Sequence, residues 1–178
     1  MSKKQIIIGG TGGQGIILSG LILAEAAVFD GKYVVQAQNY GPESRGGASR
    51  SDVIISDNEI HYPKVKNADI FLALSQEAYN KYKKYIKDDT VVILDENINA
   101  DLGNYFKFNI IEFVYNNLKK PMVINIFSLG IINGLTNIVT NDSIEKAIEK
   151  NVPRGTFEIN YLAYKKGYEL AKTKEKRW

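Results

Sequence analysis

The stretch Ile6-Ile7-Ile8-Gly9-Gly10-Thr11-Gly12-Gly13-Gln14-Gly15 constrains this chain more than any other. Three β-branched residues followed by five glycines in seven positions predict a buried strand that breaks into a tight turn, because glycine enters positive φ without steric cost. A helix follows directly. Ile17, Leu21, Ala24 and Val28 fall on one helical stripe, and the small residues Gly20, Ala24 and Ala27 allow that helix to lie close on a sheet. At such a helix start the backbone N–H groups have no internal partner and sit at the positive end of the helix dipole, which suits a phosphate or another anion.

Gly10-x-Gly12-x-x-Gly15 matches the dinucleotide-binding fingerprint, which also calls for an acidic residue about 20 positions on to hold the ribose hydroxyl. The second expected strand, Lys32 to Gln38, leads instead into Asn39, with Gln36, Ala37 and Gln38 before it and no carboxylate. No Gly-Lys-Ser/Thr follows the glycines, so a Walker loop is excluded as well. From the residues alone, a loop that binds a ligand and a loop that only makes a tight turn both stand.

The chain of 178 residues is long enough for one α/β domain with a sizeable core, and the expectation is a single domain over 1–178. It contains no cysteine and one histidine, His61. Thiolate ligation of iron–sulfur clusters and thiol nucleophiles are thereby excluded, and a histidine-based metal site is disfavoured. The net charge of +3 comes from scattered lysines and a basic stretch near Arg177, too little for a nucleic-acid partner. Met122 to Val139 is the most apolar window, but Asn125, Ser128, Asn133, Thr136 and Asn137 interrupt it, which predicts a buried helix rather than a membrane span. Met1-Ser2-Lys3-Lys4 runs straight into the first strand with no apolar targeting segment, and a cytoplasmic protein is expected.

After the second strand, Asn39 to Arg50 reads as a loop. Within it, Arg45 stands between Ser44 and the pair Gly46-Gly47, where its planar fork can meet a carboxylate or phosphate at close range. Glu43 and Arg45 pairing locally at the surface is the plainer alternative. Ser51–Ile55 and Glu59–Tyr62, joined by Asp57-Asn58, predict an inserted hairpin. Ala68–Leu74 reads as a buried parallel strand, and Ser75 caps a helix through Lys87. Thr90–Leu94 forms a further strand ending at Asp95, a candidate either for ligand contact at a strand's carboxyl end or for a cap. Tyr105–Asn109 suggests a short strand, and helices follow: one opened by Asp142 and Glu145, and a terminal one from Phe157 with Tyr161, Tyr164 and Tyr168 on one face. The expected fold is α/β, a three-layer sandwich with a mostly parallel sheet, an inserted β-hairpin and helices on both faces.

Gly10-Thr11-Gly12-Gly13-Gln14-Gly15 taken with Tyr40-Gly41-Pro42-Glu43-Ser44-Arg45-Gly46-Gly47-Ala48 resembles the gamma subunit of 2-oxoacid:ferredoxin oxidoreductases. The second motif is the more specific. The likeness continues through Ser51–Asp57, Leu129-Gly130 and Val152-Pro153-Arg154-Gly155 into Glu158, Asn160, Ala163 and Gly167. The loop from Gly41 to Ala48 looks most like the 2-oxoglutarate enzymes, with branched-chain 2-oxoacid, pyruvate and indolepyruvate types as alternatives.

The resemblance implies an enzyme that converts a 2-oxoacid and coenzyme A to acyl-CoA and carbon dioxide and passes electrons to ferredoxin. It implies thiamine diphosphate, magnesium and iron–sulfur clusters on companion alpha and beta subunits, with a delta subunit left open, and no cofactor, metal or catalytic residue on this chain. Gly10, Gly12, Gly13, Gln14 and Gly15, with Tyr40, Gly41, Pro42, Glu43, Ser44, Arg45, Gly46 and Gly47, would then touch coenzyme A or a companion subunit. A nucleotide-binding oxidoreductase and a non-catalytic partner-binding module are the other classes that the residues allow.

Overall fold

The computed structural model describes residues 3–39 and 47–173. In chain order its elements are β1 (Lys4–Thr11), α1 (Ile16–Phe29), β2 (Tyr33–Asn39), β3 (Ala48–Ser56), β4 (Ile70–Ala73), α2 (Gln76–Tyr82), β5 (Val91–Asp95), β6 (Phe106–Phe108), α3 (Ile110–Phe113), α4 (Ile124–Thr136), α5 (Asn141–Asn151) and α6 (Phe157–Lys172). The strands form one sheet in the order β2-β3-β1-β4-β5-β6. β1, β4, β5 and β6 pair in parallel, while β3 runs antiparallel to both of its neighbours. β3 is therefore the one reversed strand, and the sheet is mostly parallel as expected.

Alternation along β1 divides the core. Ile6 and Ile8 face one layer with Val53, Ile55, Leu72 and Ile93, under α1, α4, α5 and α6. Ile7 faces the other with Ile54, Phe71, Val92 and Leu94, under α2. Both faces are covered, which completes the three layers. The thick side is held by close helix contact: a Cβ on Gly130 of α4 would stand 2.1 Å from the Tyr164 carbonyl oxygen of α6, and one on Gly167 would stand 2.0 Å from that of Phe127. No side chain larger than hydrogen fits at either position.

The expected hairpin of Ser51–Ile55 with Glu59–Tyr62 does not form. β2 and β3 pair antiparallel from Tyr33↔Ser56 to Asn39↔Arg50, whereas Glu59–Tyr62 forms no strand. The predicted Ser51–Ile55 arm is longer than expected, and β1 and β2 occupy both of its edges, so no edge remains for a returning strand. Ile60 packs on the core instead. The helix from Ser75 also closes early, at Tyr82, with a 3-10 turn over Lys83–Tyr85. The fifth helix is capped by Thr140, whose hydroxyl accepts from the Ser143 N–H at 3.3 Å; Asp142 lies within the first turn.

β1 leads through α1 to β2 on one side, and β4 leads through α2 to β5 on the other, over the opposite face of the sheet. The strand order thus reverses between β1 and β4, the position at which open α/β sheets form a crevice beyond the carboxyl ends of their strands.

Candidate functional site

At that carboxyl edge the tertiary structure joins the two stretches singled out in the sequence. Thr11, the last residue of β1, stands opposite Ala48, the first of β3. The Ser49 hydroxyl donates to the Gly10 carbonyl at 3.4 Å. The glycine loop and the carboxyl end of the 40–47 connection therefore leave the sheet side by side. Tyr40, Gly41, Pro42, Glu43, Ser44, Arg45 and Gly46 lie outside the described residues; Gly47 and Ala48 are at this edge.

The glycine loop is closed by one side chain. Gln14 accepts from the Thr11 N–H through Oε1 at 2.8 Å, and its own N–H donates to the Thr11 carbonyl at 3.3 Å. Gly10 sits beneath this clamp, where a Cβ would come within 2.5 Å of the Gln14 Oε1 and 2.6 Å of Ile16. Gly15 adopts φ 69° and forms the start of α1, with no side-chain cap. Gly12 and Gly13 differ from these: among the described residues nothing comes within 4 Å of a Cβ on either, and both are exposed. Unpaired helix-start N–H groups beside an open backbone segment are a setting in which an anionic group can be bound.

Asn125, at the start of α4, supports the loop from behind. Its Nδ2 donates to the Gly15 carbonyl at 3.3 Å, and its amide would lie 2.6 Å from any Cβ on Gly15. Its Oδ1 is buried and has no hydrogen-bond partner among the described residues. Nothing in the local sequence marks Asn125 for this place, because the contact spans 110 residues.

On the opposite face, Arg50 anchors the stem of the 40–47 connection. Its Nε and Nη2 donate to the two Asp52 oxygens at 2.6 and 2.5 Å, a bidentate pair two residues apart on one strand face. Its guanidinium lies 4.2 Å from the Tyr85 ring and 5.3 Å from that of Tyr82. Burial opposes its charge, but the hydrogen bonds of Asp52 and Tyr85 prevail and raise its pKa. The Tyr82 hydroxyl donates to the Ala48 carbonyl at 2.9 Å, and Glu77 accepts from the Ala48 N–H at 3.3 Å. The spacing Arg50-x-Asp52 within a strand was a readable signal for this pair. Tyr79 and Tyr82 are core residues, and Tyr85 is partly buried against the same core.

Asp95 is a cap. Its side chain is buried, Oδ2 accepts from the N–H groups of Ile110 and Ile111 at 3.1 and 3.0 Å, and Oδ1 accepts from Asn97 at 3.1 and 3.0 Å. Oδ2 thus fixes the start of α3, and Oδ1 holds the turn at Asn97. Among the described residues no three His, Asp or Glu side chains converge as a metal site, and no helix is long and apolar enough to cross a membrane.

Residues 5–170 match the model of the pyruvate ferredoxin/flavodoxin oxidoreductase family. The chain is 49% identical to the 2-oxoglutarate synthase subunit KorC of Methanocaldococcus jannaschii, over 96% of this chain and 95% of the relative. It is 40% identical to the subunit of the same name from Methanothermobacter thermautotrophicus, over 94% and 95%. The crystal structure of a keto/oxoacid ferredoxin oxidoreductase gamma subunit from Geobacter sulfurreducens superimposes with a TM-score of 0.88 at 41% identity, covering 97% of this chain and 98% of the other. The chain belongs to the pyruvate ferredoxin/flavodoxin oxidoreductase family.

Proposed function

We infer that this chain is the gamma subunit of a 2-oxoacid:ferredoxin oxidoreductase of the 2-oxoglutarate type, and that its two loops complete a site shared with companion subunits. Likeness over nearly the whole length of two 2-oxoglutarate synthase subunits supports the substrate class. The observation behind the site is the Thr11↔Ala48 pairing, which sets the glycine loop beside Ala48, the residue at which the connection carrying Arg45 rejoins the sheet.

The assembled enzyme would decarboxylate 2-oxoglutarate oxidatively in the cytoplasm and transfer the acyl group to coenzyme A, with ferredoxin taking the electrons. Thiamine diphosphate, when bound, stabilises the carbanion left by decarboxylation. This chain's residues do not suit the redox or thiamine groups: it has no thiolate for a cluster and no Gly-Asp-Gly followed by paired asparagines. Those groups therefore belong to the alpha and beta subunits or to a ferredoxin-like delta. What this chain can offer is anion binding and close backbone approach. The open Gly12-Gly13 segment and the α1 start suit a phosphate of coenzyme A, and Arg45 suits a phosphate or a companion carboxylate.

The test is co-expression with the companion subunits carrying wild-type chain, Arg45→Ala or Arg45→Lys, followed by measurement of complex formation and of succinyl-CoA production. Arg45→Ala is expected to cost about 2–5 kcal/mol in assembly or turnover, with Arg45→Lys recovering only part because it loses the fork. Normal values for both variants would remove Arg45 from the site. Turnover by this chain alone would overturn the subunit reading.

A further inference from the structure

Two carboxamides hold the glycine loop, one at each end of the exposed Gly12-Gly13 segment. Gln14 holds the first end, its Oε1 accepting from the Thr11 N–H at 2.8 Å. Asn125 holds the second, its Nδ2 donating to the Gly15 carbonyl at 3.3 Å. That carbonyl also accepts from the Ser19 N–H at 3.0 Å, the hydrogen bond with which α1 begins. Gly15 has φ 69° and no side chain, so its own sterics leave open the direction of the peptide that follows. The carbonyl of Gly15 and the N–H of Ile16 belong to one planar trans peptide. A side chain that fixes the carbonyl along α1 therefore fixes the Ile16 N–H in the opposite sense, outward from a helix start that no side chain caps.

An asparagine is a costly residue in this place. Asn125 is 3% exposed, and because the group it faces is a carbonyl, its amide must present Nδ2 there. Oδ1 is left buried with no hydrogen-bond partner among the described residues, which costs stability. An apolar side chain of similar volume would fill the same space without that penalty, so packing alone gives no reason for the amide. The base on which it stands is rigid. α4 lies against α6 through Gly130, Gly134 and Gly167, at each of which a Cβ would come within 2.6 Å of the other helix.

We propose that Asn125 is a positioning residue, which touches no ligand but, through the Gly15 carbonyl, aims the free N–H groups of the α1 start at the anionic group the loop receives. In the function proposed above, on which this rests, that group is a phosphate of coenzyme A. Without the amide the Gly15–Ile16 peptide is free to turn, and affinity for the anion falls. The chemistry carried by the companion subunits keeps its rate, because nothing at the reacting atoms has changed.

The test uses the complex assembled with its companion subunits. Asn125→Leu should raise KM for coenzyme A about tenfold or more, with kcat and KM for 2-oxoglutarate within about twofold of wild type. Its thermal midpoint should equal or exceed the wild-type value, because the unpartnered acceptor is gone. A side chain needed only for packing would do the reverse, lowering the midpoint and leaving KM unchanged. Asn125→Asp keeps the volume but sets an acceptor against the Gly15 carbonyl. It should raise KM at least as far, and it carries the test if the leucine variant does not assemble. In either variant, hydrogen exchange should quicken at the amides of Gly15 and Ile16 and stay unchanged within α4. Gly12→Ala separates this inference from the reading of the loop. If Gly12→Ala raises KM for coenzyme A and neither Asn125 variant does, the role of Asn125 is overturned and the loop remains the site. If none of the three raises it, the loop does not meet coenzyme A and both fall.

Discussion

Asn125 and Gly15 are fitted to one another: the asparagine amide donates to the glycine carbonyl at 3.3 Å and occupies the volume a side chain at Gly15 would need. Gly15 also holds φ 69°. Gly15→Ala thus meets both a strained backbone and a steric conflict and should destabilise the chain by about 2–4 kcal/mol. Gly12→Ala meets open space and should stay within about 1 kcal/mol of wild type. Urea denaturation of the two variants measures the contrast. If Gly12→Ala proves neutral in stability yet raises KM for coenzyme A in the assembled enzyme, the open segment is a contact surface.

Asp95→Ala should cost about 2–3 kcal/mol, because it strips the acceptor from two N–H groups at the start of α3 and from Asn97. Turnover per assembled complex should remain close to wild type. A large loss of turnover without loss of stability would return Asp95 to the list of ligand contacts.

Titration with NAD or NADP should give no saturable heat, since β2 ends in Gln36, Ala37, Gln38 and Asn39 where a ribose-binding carboxylate is required. Micromolar binding, equivalent to about −8 kcal/mol, would mean that the glycine loop accepts a dinucleotide by another route.

Two pH limits follow from the carboxylates and one tyrosine. Burial resists ionisation of Glu25 and Asp30, but hydrogen bonds from Lys150 and Asn151 to the first, and from Ser143 and Thr140 to the second, prevail and lower both below their ordinary 4.5 and 3.8. A depressed folded-state value adds stability above the unfolded pKa and loses it as pH falls through the folded one. Stability should therefore decline with acid from about pH 4.5 downward. At the alkaline end, burial is the main cause that pushes Tyr164 up from 10.0 to about 12. Its contribution is complete below pH 10.0 and is lost as pH rises towards 12. Thermal melts across both ranges check the signs.

Tyr164→Phe should remove only part of that alkaline slope, because burial also pushes Tyr79 and Tyr161 up to about 12. The Tyr164 hydroxyl donates to Asn141 Oδ1 at 2.6 Å and accepts from Asn133 Nδ2 at 2.8 Å. Its loss leaves two amides short of a partner, at a cost of about 1–3 kcal/mol near neutral pH.

Local chemistry was legible in advance because it depends on neighbours in sequence. The run Ile6–Ile8 before clustered glycines, the Ser75 cap, the apolar strand ending in Ala73 and the Tyr161–Tyr168 face all follow from steric preference and periodicity, which a few adjacent residues decide. Spacing also set Ile17, Leu21 and Val28 on one stripe of α1. It could not say which side is buried, because that helix is apolar almost all round and the answer came from the fit of Gly20 against Ser51, where a Cβ would stand 1.9 Å from the hydroxyl oxygen.

The hairpin shows the same boundary. Alternation from Ser51 to Ile55 identified a strand, but its partner depended on which edges β1 and β2 had already filled. Asn125 behind the glycine loop, Asp95 beneath α3 and Ala48 beside Thr11 are likewise products of chain closure over long separations. By itself the sequence determined the first strand and its glycine turn, the Ser75 cap and the absent thiolates of this protein. Only the tertiary structure decided which faces are covered and which loops meet, since burial and strand pairing are properties of the whole packed chain.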